Sequence, residues 1–139
     1  LLEPPFAGLA ARNRTEEQMR EFFTLLEKEE SADPRNTLKI TDLDFDFHLL
    51  IAVASGNTVY PLLMNSFRPV YTNLSGQFFR DREVTAAVHA YHRALAEAVA
   101  AGDAEKAVSI MTDILQHGEE HLRPMIGEET PAGSLPRGG

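Results

Sequence analysis

Apolar residues recur every three or four positions along most of this chain, and no stretch shows the alternation of a strand. The most informative run is 42–57, DLDFDFHLLIAVASGN, where Leu43, Phe47, Leu50, Ile51 and Ala54 make one apolar helical face. Ser55-Gly56-Asn57 closes it, since Gly accepts the left-handed position after a helix and Asn57 can begin the next element. Ahead of that run, residues 1–13 place Leu2, Phe6, Leu9 and Ala10 at helical spacing. Thr15 with Gln18 spells a capping box. The helix it opens carries Met19, Phe22, Phe23 and Leu26 on one side and Glu27-Lys28-Glu29-Glu30 at an exposed end. Residues 31–36, with Asp33-Pro34, read as a loop, because the residue before Pro avoids the helical region.

Beyond Asn57 the pattern predicts one long helix over 57–79, with Leu63, Phe67, Val70, Leu74 and Phe78 in its buried stripe. Pro69 should kink it by removing the hydrogen bond to the carbonyl of Asn65. Residues 83–101 align Val84, Val88, His92, Leu95 and Val99 on one face, and Gly102-Asp103 stops that helix and caps the next. Residues 104–125 then align Ala107, Ile110, Ile114, His117 and His121. Gly and Pro crowd the tail from Gly127, which is expected to be disordered. The expected fold is all-α: an antiparallel bundle of about six to seven helices over residues 1–126.

Composition narrows the functions this bundle can serve. Thirteen basic residues face 21 acidic ones, a net charge of −8, which is the wrong sign for a surface that grips phosphate. The absence of Cys excludes a disulfide framework and fits a reducing, cytoplasmic setting. The longest apolar run, 49–54, is far too short to span a bilayer, and no signal-peptide pattern is present. The chain begins at Leu1, inside a helical pattern, and is expected to be part of something longer.

Candidate chemistry falls on the apolar faces. Asp44 and His48 stand four apart, which puts them on one side of a helix with Cβ atoms about 5–6 Å apart. His92 joins them if its helix packs alongside. One carboxylate and two imidazoles suit a divalent transition metal such as zinc or nickel, with positions left open. A structural reading stands beside this one. Thr41-x-x-Asp44 is itself a capping-box pattern, so Asp44 can be a helix start and the two histidines satisfied core residues. Asp42 and Asp46 form a second pair, read as solvated. Arg68, beside the carbonyl of Asn65 freed by Pro69, is a candidate for orienting an acidic effector, and Ile114, His117 and His121 for lining its cavity. A small metal-dependent enzyme using Asp44, His48 and His92 is the alternative, but no nucleophile elbow, P-loop or dinucleotide fingerprint accompanies them.

The helix carrying D-x-x-x-H and closed by S-G-N resembles the centre of the C-terminal effector-binding (FCD-type) domain of FadR-subfamily regulators in the GntR superfamily. LLEPPFAGLAARNRTEEQ resembles the start of that domain, and YHRALAEAVAAGDAEKAVSIM its late segment. The resemblance implies an all-α domain that forms a homodimer and binds a carboxylate metabolite or acyl-CoA. Operator DNA would be read only by a winged helix-turn-helix domain preceding it. It also implies a metal held by Asp44, His48 and His92, with the family's fourth ligand position falling on Ile114, which cannot ligate. VYPLLMNSFRPVYTNLSGQFF leans toward the acyl-CoA-sensing branch, which uses no metal and lacks the Asp that this chain keeps.

Overall fold

The computed structural model describes residues 3–129, with side chains through Arg123. Seven helices follow one another: α1 (Glu3–Asn13), α2 (Glu16–Ser31), α3 (Thr37–Ala54), α4 (Tyr60–Ser66), α5 (Arg68–Phe78), α6 (Arg82–Ala100) and α7 (Ala104–Glu129). No strand occurs among the described residues, and the fold is all-α. Leu2, expected in the first apolar face, lies outside the described residues, as does the tail from residue 130. Residues 127–129, expected to begin that tail, instead continue α7.

The turn chemistry is where the sequence places it. Thr15 and Gln18 exchange their capping bonds at 3.1 and 2.9 Å. Gly56 and Gly102 take left-handed φ values of 86° and 70°, and Asp103 accepts from the Lys106 amide at 3.1 Å. The central helix starts earlier than its apolar face suggested. Asn36 caps α3 by accepting from the Lys39 amide at 3.1 Å, and the Thr41 hydroxyl donates back to the Thr37 carbonyl at 2.7 Å. Thr41 is therefore inside the helix rather than its cap.

Helix α3 is buried on nearly every side, Phe45 and Ala52 included, because α1, α2, α4 and α5 pack around it. The main core joins α1, α2, α3, α6 and α7 through residues such as Phe22, Phe47, Leu95, Val99 and Met111. Full burial of each large apolar side chain contributes about 1.5–3 kcal/mol. A smaller cluster holds Ile40, Phe78, Phe79, Val84 and Val88. Gly8 lets α1 approach α7 closely, since a Cβ there would stand 2.8 Å from a Val108 methyl.

The expected single helix over 57–79 is two helices. The chain breaks at Phe67, so Pro69 sits in the first turn of α5, where its missing N–H costs nothing, and kinks no helix. The stripe assigned to the core also faces outward. Leu63, Phe67, Val70 and Leu74 are all exposed, Phe67 at 62%, and only Phe78 is buried. The face of α5 turned toward α3 presents Tyr71, Ser75 and Phe78 instead. Glu29 departs from its expected place at a solvated helix end: it is 2% exposed.

Candidate metal and effector site

Helix α3 brings Asp44 and His48 to one point, and α6 brings His92 to the same point. Asp44 is 5% exposed in the third turn of α3, so it is not a helix-start acid. His48 Nε2 lies 3.7 Å and His92 Nε2 3.2 Å from Asp44 Oδ1. One potential ligand atom from each residue lies within 4.8 Å of the others. The two rings meet at 76° with centroids 5.4 Å apart, and Phe47 stacks flat on His92 at 4.1 Å.

Each imidazole is held from behind. His48 Nδ1 donates to Glu3 Oε2 at 2.7 Å, and His92 Nδ1 to Glu29 Oε2 at 2.6 Å. A carboxylate on the far nitrogen fixes the ring and turns the other nitrogen inward, the arrangement that metal-ligating histidines use. The Tyr71 hydroxyl donates to Asp44 Oδ2. His92 Nε2 is fully buried and faces Asp44 Oδ1 at 3.2 Å as its ion-pair neighbour. A cation between the two rings and Asp44 could take one buried donor atom from each of the three residues, so the donor set fits a transition metal.

The site's electrostatics follow from its burial. Burial alone would strip the proton from His48, but the carboxylates of Glu3 and Asp44 outweigh it and raise the ring to about 9. His92 moves the same way: burial opposes protonation and is overcome by Asp44 and Glu29. For Asp44, burial pushes upward but the two imidazoles prevail and hold the carboxyl below its usual range.

Beside these residues lies a cavity of about 190 Å³ between the two core clusters. Ile114 and Leu115 enter it from α7, Phe78 and Phe79 from the end of α5, and Val88 from α6. Ile114 thus faces the same space as Asp44 and His48. A larger concavity of about 500 Å³ lies over α2 and α3, among Glu17, Arg20 and Lys28. It is an open groove between long charged side chains with no convergent buried polar group, so the smaller cavity is the better candidate.

Other residues singled out from the sequence lie away from the cavity. Arg68 spans the seam between α3 and α5, its Nη2 2.8 Å from Asp46 Oδ1 and its Nη1 3.7 Å from Asp42 Oδ1. Its guanidinium lies 4.1 Å over the Phe45 ring. Asn65 is exposed. His117 and His121 turn to the edge of Phe78, and His121 Nδ1 meets the His117 carbonyl at 2.9 Å. Glu3, Glu29 and Tyr71 were not anticipated from the sequence. Only Glu29 carried a signal there, as it continues the spacing of Met19, Phe22 and Leu26.

The all-helical bundle thus sets a buried carboxylate–imidazole cluster at the edge of a partly open, mainly apolar cavity. Residues 1–117 match the FCD domain family, and the chain belongs to it. This places it with the effector-binding regulatory domains of GntR-type transcription regulators rather than with enzymes. It is also 26% identical over 115 residues to the fatty acid metabolism regulator protein of Proteus mirabilis, covering 83% of this chain and 45% of that protein. The chain thus spans less than half the length of that curated relative.

Proposed function

We propose that this FCD domain senses a small carboxylate-bearing effector next to one divalent transition metal, zinc or nickel, held by Asp44, His48 and His92. The observation that carries the reading is the convergence of buried donor atoms of Asp44, His48 and His92 within 4.8 Å of one another, while Glu29 occupies the other nitrogen of His92. A metal bound there would supply a Lewis-acid anchor for an effector carboxylate. The chain's own residues do the rest: Glu3 and Glu29 orient the rings, Tyr71 orients Asp44, and α5, α6 and α7 supply apolar walls.

The domain would act as a homodimer, its second copy covering the apolar face that α4 and α5 leave exposed. DNA would be contacted by another part of the regulator, since this segment's charge of −8 repels phosphate. An effector changes DNA binding only if it prefers one arrangement of the dimer over another. Native mass spectrometry with metal analysis of the purified chain tests the reading. The expected result is two chains with one metal each, the metal lost in His92→Ala. A metal-free monomer that takes up no added zinc would overturn it.

A further inference from the structure

We infer that the cavity selects a monocarboxylate with a short apolar body, and rejects dicarboxylates and coenzyme A thioesters. The inference rests on the effector-sensing reading above and concerns the cavity's walls. No Lys or Arg lines the cavity among the described residues. Its charged lining consists of Glu3, Asp44, His48 and Glu119, with positive charge only at the end where His48 and the proposed metal lie. Arg123, next in sequence to the lining residue Leu122, is paired with Glu119 and is 73% exposed. The guanidinium of Arg68 is engaged by Asp42, Asp46 and Phe45 outside the cavity.

A ligand can therefore place one carboxylate at the Asp44–His48 end. A second carboxylate would lie against Phe78, Phe79, Val88, Ile114, Leu115 and Leu122, losing part of its hydration with no cation to pair with. An unpaired buried charge is the costliest group such a wall can meet, whereas a methyl or short alkyl group gains from the same contact. Size points the same way. A volume of about 190 Å³ is below the roughly 300–1,000 Å³ of sites for drug-sized ligands, and cannot enclose a nucleotide-bearing thioester. The hydroxyls of Tyr71 and Ser75 are the neutral polar groups left to set orientation.

A matched pair of ligands tests this. Isovalerate and methylsuccinate share a skeleton, but one methyl of the first is a carboxylate in the second. Calorimetric titration of the zinc-loaded chain should give isovalerate at least tenfold tighter binding than methylsuccinate, with isovaleryl-coenzyme A and the uncharged isovaleramide both weaker. Leu122→Arg places a cation at the apolar end and should narrow or invert the gap between the two acids. Methylsuccinate binding as well as isovalerate, or the thioester binding best, would overturn the selectivity while leaving the metal site standing. No binding of isovalerate to a chain shown to hold zinc would likewise overturn it. A chain that takes up no zinc at all instead removes the sensing reading on which it rests.

Discussion

Glu29 and Glu3 decide what the imidazoles can do, because each carboxylate fixes which ring nitrogen faces Asp44. Glu29→Gln keeps the size and an acceptor oxygen but removes the charge behind His92. Zinc affinity is expected to fall roughly 10–100-fold with the fold retained, measured by competition with a chromophoric chelator. Unchanged affinity would mean that Glu29 merely packs. A second expectation concerns the chelator-treated chain. The folded-state pKa of His48 is raised from 6.5 to about 9, so its contribution to stability is complete below pH 6.5 and is lost as pH rises through 9. Each unit of such a shift corresponds to about 1.4 kcal/mol. Urea midpoints should therefore fall between pH 6.5 and 9.5, and His48→Gln should flatten the decline; an equal slope in both chains would count against the assignment. Asp44, His48 and His92 were legible in the sequence because helical spacing puts them on apolar faces. Glu29 was hidden in the run Glu27–Glu30, whose charges look solvated, although its register matches Phe22 and Leu26. Glu3 and Tyr71 carried no local signal, since only tertiary packing brings them to His48 and Asp44.

Among the elements, α6 follows its periodicity closely, with all five residues of its expected face buried. Helix α5 does the opposite. Its strongest apolar stripe points outward, and a mixed face with Tyr71 and Ser75 points in. Periodicity reveals that a helix has an apolar face; it does not say whether the core or another molecule covers that face. The break before Arg68-Pro69 was missed for a related reason, as one Pro is compatible with both a kinked helix and a new first turn. The outward stripe has a measurable consequence under the dimer proposal. Phe67→Glu would place a charge on the shared face, duplicated by the twofold axis. Sedimentation at tens of micromolar should then show monomer where the parent is dimer. The fold of the variant should be intact by circular dichroism, because Phe67 lies outside the core. A dimer unaffected by the change would send the interface to another surface.

Across the whole molecule, the candidate site ties together parts of the chain far apart in sequence: α1 through Glu3, α2 through Glu29, α3 through Asp44 and His48, and α6 through His92. Helix α7 lines the cavity with Ile114, Leu115, Glu119 and Leu122, and Ile114 is its buried apolar contact there. Replacing that contact with a nitrogen extends the same tie to the last helix. Ile114→His should raise zinc or nickel affinity, because a fourth ligand completes a tetrahedral set. With free metal 100-fold above the dissociation constant, binding confined to the folded state adds about 2.7 kcal/mol. For a chain of this size each kcal/mol raises Tm by roughly 3–5 °C. The variant's metal-dependent rise in Tm should therefore exceed the parent's at equal free metal, and His48→Ala in the same chain should abolish it. Without metal the variant should melt below the parent, since a buried apolar side chain has been exchanged for an imidazole with no partner. A variant that gains nothing from either metal would mean that α7 does not face the three residues as the cavity geometry has it. The cluster would then be left as a buried ion network, with Glu29 and Glu3 serving only to pair the two histidines.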